Sequence, residues 1–166
     1  MTSDAERREM QRLMRELVRY RSHVHYAQVR PMATRTIRPG HLWRALHRRG
    51  GITMDCSESV TLICRLAGLR DPNGKHYDGY GYTGTLLTYL EHYPEPARAR
   101  AGALVVFGGG TGEHVAMVYE PSHTDPVCFS HGREADPRFY KLSELLPAFP
   151  GQPHTFLAVG KLGLGR

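Results

Sequence analysis

Residues 103–120 read ALVVFGGGTGEHVAMVYE, and this stretch decides the fold. Two apolar runs rich in β-branched residues, ALVVF (103–107) and HVAMVYE (114–120), flank the glycine-rich GGGTGE. That pattern predicts a β-hairpin closed by a six-residue loop. Downstream, VCFSH (127–131) predicts a third strand and TFLAVGKL (155–162) a fourth. Upstream the period changes. Met10, Leu13, Met14, Leu17 and Val18 recur at three-and-four spacing, and Ser3 with Glu6 forms a capping box ahead of them. This predicts an amphipathic helix from about residue 4 to 20, with Arg7, Arg8, Arg12, Arg15 and Arg19 on the rest of its surface.

CSESVTLICRLA (56–67) predicts a second helix, with Val60, Ile63, Cys64 and Ala67 inward and Gly68 ending it. Between these helices, residues 21–40 read as an irregular connection holding Pro31 and Pro39. A short helical piece around Leu42, Trp43 and Leu46 stops at Gly50-Gly51. RDPNGKHYDGYGYTG (70–84) is turn-rich, and its Tyr77, Tyr80 and Tyr82 suit an ordered binding loop as well as a packed one. Helices first and an antiparallel meander afterwards predict an α+β fold, one compact domain in which a basic helix (1–22) precedes residues 23–166.

A chain of 166 residues can bury a core without disulfides or metals. Nothing in it approaches the run of about eighteen apolar residues that spans a membrane. Charges interrupt the first twenty residues before any apolar run, so they do not read as a secretion signal. The protein is expected to act where it is made, or to be carried across a membrane by something else. Lys plus Arg number 22 against 16 acidic residues, and the excess lies largely before residue 50. A net charge of +6 favours an anionic partner such as nucleic acid, anionic lipid or an anionic cell-wall polymer; a solvated helix face is the plainer reading. Three cysteines at 56, 64 and 128 give neither a disulfide framework nor zinc spacing, so no metal and no cofactor is expected.

Cys56 opens the second helix behind Asp55, which can cap it. Free N–H groups and the positive dipole end favour a thiolate there and can receive an oxyanion, with Ser57 supplying one such N–H. The alternative is an ordinary buried thiol, the reading given to Cys64 and Cys128. His114 opens one strand and His131 closes the next. If those strands are antiparallel neighbours, both rings come to one end of the sheet, with heavy atoms roughly 2.6–3.2 Å apart. His114 would be the base and His131 the group that fixes its tautomer. Rings on opposite faces of the sheet would favour a non-enzymatic binding module instead. The other eight histidines (His23, His25, His41, His47, His76, His92, His123, His154) read as structural or exposed.

MDCSESV, ARAGALVVFGGGTGEHVAMV and CFSHG together resemble the NlpC-type cell-wall cysteine peptidases. Those carry a nucleophile helix, a hairpin bearing the histidine, and a third polar residue on the following strand. The order Cys, His, His matches, with spacings of 58 and then 17 residues. DPNGKHYDGYGYTGTLL and HYAQVRPM look like the peptidase domains of lysins from phages of actinobacteria. The likeness spans roughly residues 23–162. It implies a papain-like fold, with Cys56 as nucleophile, His114 as base and His131 as the third member. It also implies a peptidoglycan stem peptide as substrate, cut after D-glutamate. An amidase cutting the lactyl-alanine bond uses similar residues, and an acyltransferase or deamidase is a further alternative. A lysin acting on the wall from the host cytoplasm, or a virion component, and a monomer are the expected settings. Tyr26 matches a tyrosine that lines such sites near the oxyanion, and is equally read as a packed aromatic. Tyr82 and Glu58 join the candidate substrate-binding residues. Glu58 stands where the family has glycine, and could reach the cleft or cap the helix; Ala103 stands where it has aspartate.

Overall fold

The computed structural model describes residues 2–94, 100–132 and 136–160. The first helix, α1 (Asp4–Arg19), starts at the expected capping box. Ser3 Oγ accepts from the Glu6 N–H at 3.2 Å, and the Ser3 N–H donates to the Glu6 carboxylate at 2.7 Å. Its apolar stripe, Met10, Leu13, Met14 and Leu17, is buried in the same core as Val60 and Ile63 of α3 (Cys56–Leu66). The basic helix is therefore a wall of the core and not an appendage to it. α2 (Leu42–His47) is the short piece before Gly50-Gly51.

Five strands form one antiparallel sheet in the order β6-β5-β4-β3-β7. They are β3 (Leu104–Phe107), β4 (His114–Glu120), β5 (Val127–Ser130), β6 (Arg138–Lys141) and β7 (His154–Leu157). The hairpin and the third strand fall where the alternation placed them. β7 is shorter than TFLAVGKL, whose last two residues lie outside the described residues. Val115, Met117 and Phe129 turn toward α1 and α3, whereas Val105, Phe107, Ala116, Val118 and Cys128 turn toward α5 (Leu142–Leu145). The sheet is thus buried on both faces, which explains why its strands read as continuous apolar runs.

Three features depart from the sequence reading. Val24–Tyr26 and Ile52–Met54 form β1 and β2, a parallel pair inside what reads as an irregular connection. The end of the turn-rich stretch opens a further helix, α4 (Thr83–Leu90). β6 and α5 were not anticipated. Each of these elements is eight residues or shorter, so periodicity has little length in which to show. No described helix is long and apolar enough to cross a membrane.

Candidate active site

β2 delivers the chain to Asp55, whose side chain accepts the Glu58 N–H at 2.8 Å and so starts α3 with Cys56 in its first turn. Cys56 lies in the floor of a cleft of about 500 Å³ whose walls include Arg30, Ser57, Tyr82, Thr83, Thr111 and Glu113. The thiol is 5% exposed. Burial raises its pKa above the ordinary thiol value, and the neighbouring Asp55 carboxylate raises it further. The Val115 N–H, the Thr83 hydroxyl and the Ser57 N–H pull the other way and do not prevail. The expected thiolate preference is therefore reversed: desolvation and an adjacent anion outweigh the helix end.

The Val115 N–H bearing on the sulfur puts Cys56 beside the first peptide of β4, one residue from His114. His114 Nε2 is 2.8 Å from Ser130 Oγ, and its ring stacks on Phe149 (centroids 5.4 Å, 9° between planes) and on Phe107. His131 Nε2 instead lies 2.9 Å from the Met54 carbonyl oxygen, with its ring edge-on to Tyr26 at 5.5 Å. The expected His114–His131 pairing is thus replaced by two separate partners. Register is the reason. Ala116 stands opposite Ser130, so His114 shares a face with Ser130, while His131 shares the other with Phe129 and Val115. One residue of parity moves His131 away from His114 to the junction between β2 and α3. Ser130, within CFSHG, is therefore the residue of β5 that meets the His114 ring.

The cleft's charged wall was also missed. Arg30 Nη2 donates to Asp55 Oδ2 at 2.9 Å and lies 3.0 Å from Ser57 Oγ, and Arg30 Nε donates to the Gly81 carbonyl at 2.7 Å. This single guanidinium ties the helix start to the tyrosine loop. An arginine within an irregular segment carries no pattern that would reveal such a link. The loop itself is ordered: the Asp71 carboxylate accepts the N–H groups of Asn73, Lys75 and Tyr77. Gly112 (φ +69°) packs so closely on Thr83 that a Cβ would sit 2.5 Å from its methyl, which seats the hairpin loop against α4.

Tyr82 lines the cleft, 46% exposed, as expected of a substrate-facing ring. Tyr26 does not; it packs on His131, and Gln28, two residues on, lines the cleft instead. Glu58 does not reach the cleft either. It is fully buried, and Oε1 accepts both the Thr34 N–H at 2.9 Å and the Thr34 hydroxyl at 2.7 Å. Burial raises its carboxyl pKa. Cys64 and Cys128 are sealed in the two core clusters, and burial drives both thiols upward, Cys128 to about 12. Among the described residues, His, Cys, Asp and Glu nowhere gather in a group of three that could hold a metal ion. Compared with models of protein families, with curated proteins and with solved structures, the chain matches none.

Proposed function

We propose that the protein is a cysteine hydrolase in which Cys56 attacks an amide carbonyl, His114 moves the proton and Ser130 holds His114. The observation that supports this reading is a cleft lined by the thiol, which receives the Val115 N–H, next along β4 to a histidine whose Nε2 lies 2.8 Å from Ser130 Oγ. If Ser130 Oγ accepts a proton from Nε2, Nδ1 is the nitrogen with a lone pair for the thiol. A thiol held protonated by its surroundings fits base-assisted attack better than a standing thiolate. The S–H proton passes to His114 as sulfur bonds to carbon, and the C–N bond then breaks as the amine takes that proton. Water, deprotonated by His114, attacks the thioester to give a carboxylate and the restored thiol. By the family resemblance, the amide belongs to a peptidoglycan stem peptide.

A second reading, a binding module without catalysis, is favoured by the separate partners of His114 and His131, which lie on Ser130 and on the Met54 carbonyl. Mass spectrometry of actinobacterial peptidoglycan digested by wild-type protein and by Cys56→Ala separates the two. New termini formed by wild type alone support the hydrolase and name the bond. Intact peptidoglycan with both proteins leaves the binding module.

A further inference from the structure

α1 is basic, yet its arginines are not equivalent. Arg7 is paired with Asp4, and Arg12 is held between Glu9 at 2.7 Å and Glu16. Arg15 and Arg19, one turn apart on the same face, form no ion pair with a carboxylate among the described residues. Instead they lie over rings, Arg15 at 6.0 Å from Tyr119 and Arg19 at 5.5 Å from Tyr20. Both line a groove of about 620 Å³ together with Trp43, Phe139 and the ion-paired Arg12 and Glu16, whose charges cancel each other. Trp43 is the chain's one tryptophan and is 58% exposed. His47 stacks on it at 4.3 Å, so Trp43 offers a single open face.

A large ring left in water costs hydrophobic free energy, and two guanidiniums without counter-charges attract anions. We infer that this groove binds an acidic polysaccharide, one sugar ring lying on the open face of Trp43 and its carboxylate or phosphate groups reaching Arg15 and Arg19. One stacking face beside two discrete cations suits a sugar with an attached acid. A single-stranded nucleic acid would call for successive stacking faces along a continuous basic track. None of the lining residues is shared with the Cys56 cleft, so the inference stands apart from catalysis.

Because Trp43 is the one tryptophan, its fluorescence reports occupancy of the groove directly. The full-length protein would be titrated with oligogalacturonate, a neutral dextran of similar length, and oligo(dT). Oligogalacturonate should change the emission saturably, with dextran binding on the order of tenfold more weakly, since each charge-assisted contact is worth about one to two powers of ten. The Arg15→Gln/Arg19→Gln double variant should lose that preference, and Cys56→Ala should keep it. Rising salt should weaken the binding. No response to oligogalacturonate, an unchanged response in the double variant, or tighter binding of oligo(dT) would each overturn the inference.

Discussion

The two faces of the five-stranded sheet each hold one histidine of the HVAMVYE and CFSHG segments, and they use it differently. On the α5 side His114 is stacked between aromatic rings, with Nε2 on a serine hydroxyl, and the next N–H along β4, that of Val115, reaches the Cys56 thiol. On the α1 and α3 side His131 is wholly buried and bound to the Met54 carbonyl, two residues before Cys56. The first is held by a hydroxyl on its own face of the sheet; the second ties the end of β5 to the strand that leads into α3. Strand parity, rather than residue type, sends the two histidines to different partners.

The comparison would break most visibly at the thiols. Cys56→Ala should lower amide hydrolysis by roughly 10⁴-fold or more, measured as amino groups released from purified peptidoglycan. Cys64→Ala, two turns along the same helix in the core, should keep the rate of whatever fraction folds. Iodoacetamide should likewise label Cys56 first, because Cys64 and Cys128 are sealed; faster labelling of either would refute the assignment.

His114→Ala should lower turnover by about 10²- to 10⁴-fold, the usual worth of a general base. Because the ring is buried between Phe107 and Phe149, the rate should be divided by the folded fraction from circular dichroism. Unchanged turnover would remove His114 from the chemistry and favour the binding module.

Two stability effects sharpen the contrast further. Cys128 has its pKa raised by burial, and by Asp125, to about 12. A raised folded pKa means the unfolded chain gives up its proton first. The stabilisation is complete below the ordinary thiol value and is lost as pH rises toward 12, by about 1.4 kcal/mol per pH unit for each such thiol. Urea denaturation at stepped alkaline pH should show this decline, shallower in Cys128→Ala. Glu58 gives the smallest effect. Its carboxyl is also raised, so its contribution is complete below the ordinary value of 4.5 and falls as pH climbs through the raised one. Glu58→Gln should flatten that decline and leave neutral-pH stability within about 1 kcal/mol of wild type or above it. A steeper fall in the variant would count against the buried, proton-holding Glu58.

Much of this was legible in the residues. Capping at Ser3 and Asp55, the stripe along α1, and the hairpin at 103–120 are local patterns, and local patterns survive folding. The cleft's location followed from Cys56 opening α3. What was not legible depends on register or distance: the phase of β5 against β4, which exchanges Ser130 for His131, and the reach of Arg30 to Asp55. Glu58 misled because a helix position says where a side chain starts, not which neighbour covers it. Here the neighbour is Thr34, 24 residues upstream.

The direct test of the central claim compares Ser130→Ala with His131→Gln in the peptidoglycan assay, each rate divided by the folded fraction. Ser130→Ala should fall by on the order of tenfold, as loss of the group that fixes a base's tautomer implies. His131→Gln should lose stability, by about 1–3 kcal/mol for a disturbed buried hydrogen bond, yet keep most of its turnover once folded. The reverse order, with Ser130→Ala fully active and folded His131→Gln inactive, would contradict the account and return His131 to the role of orienting group.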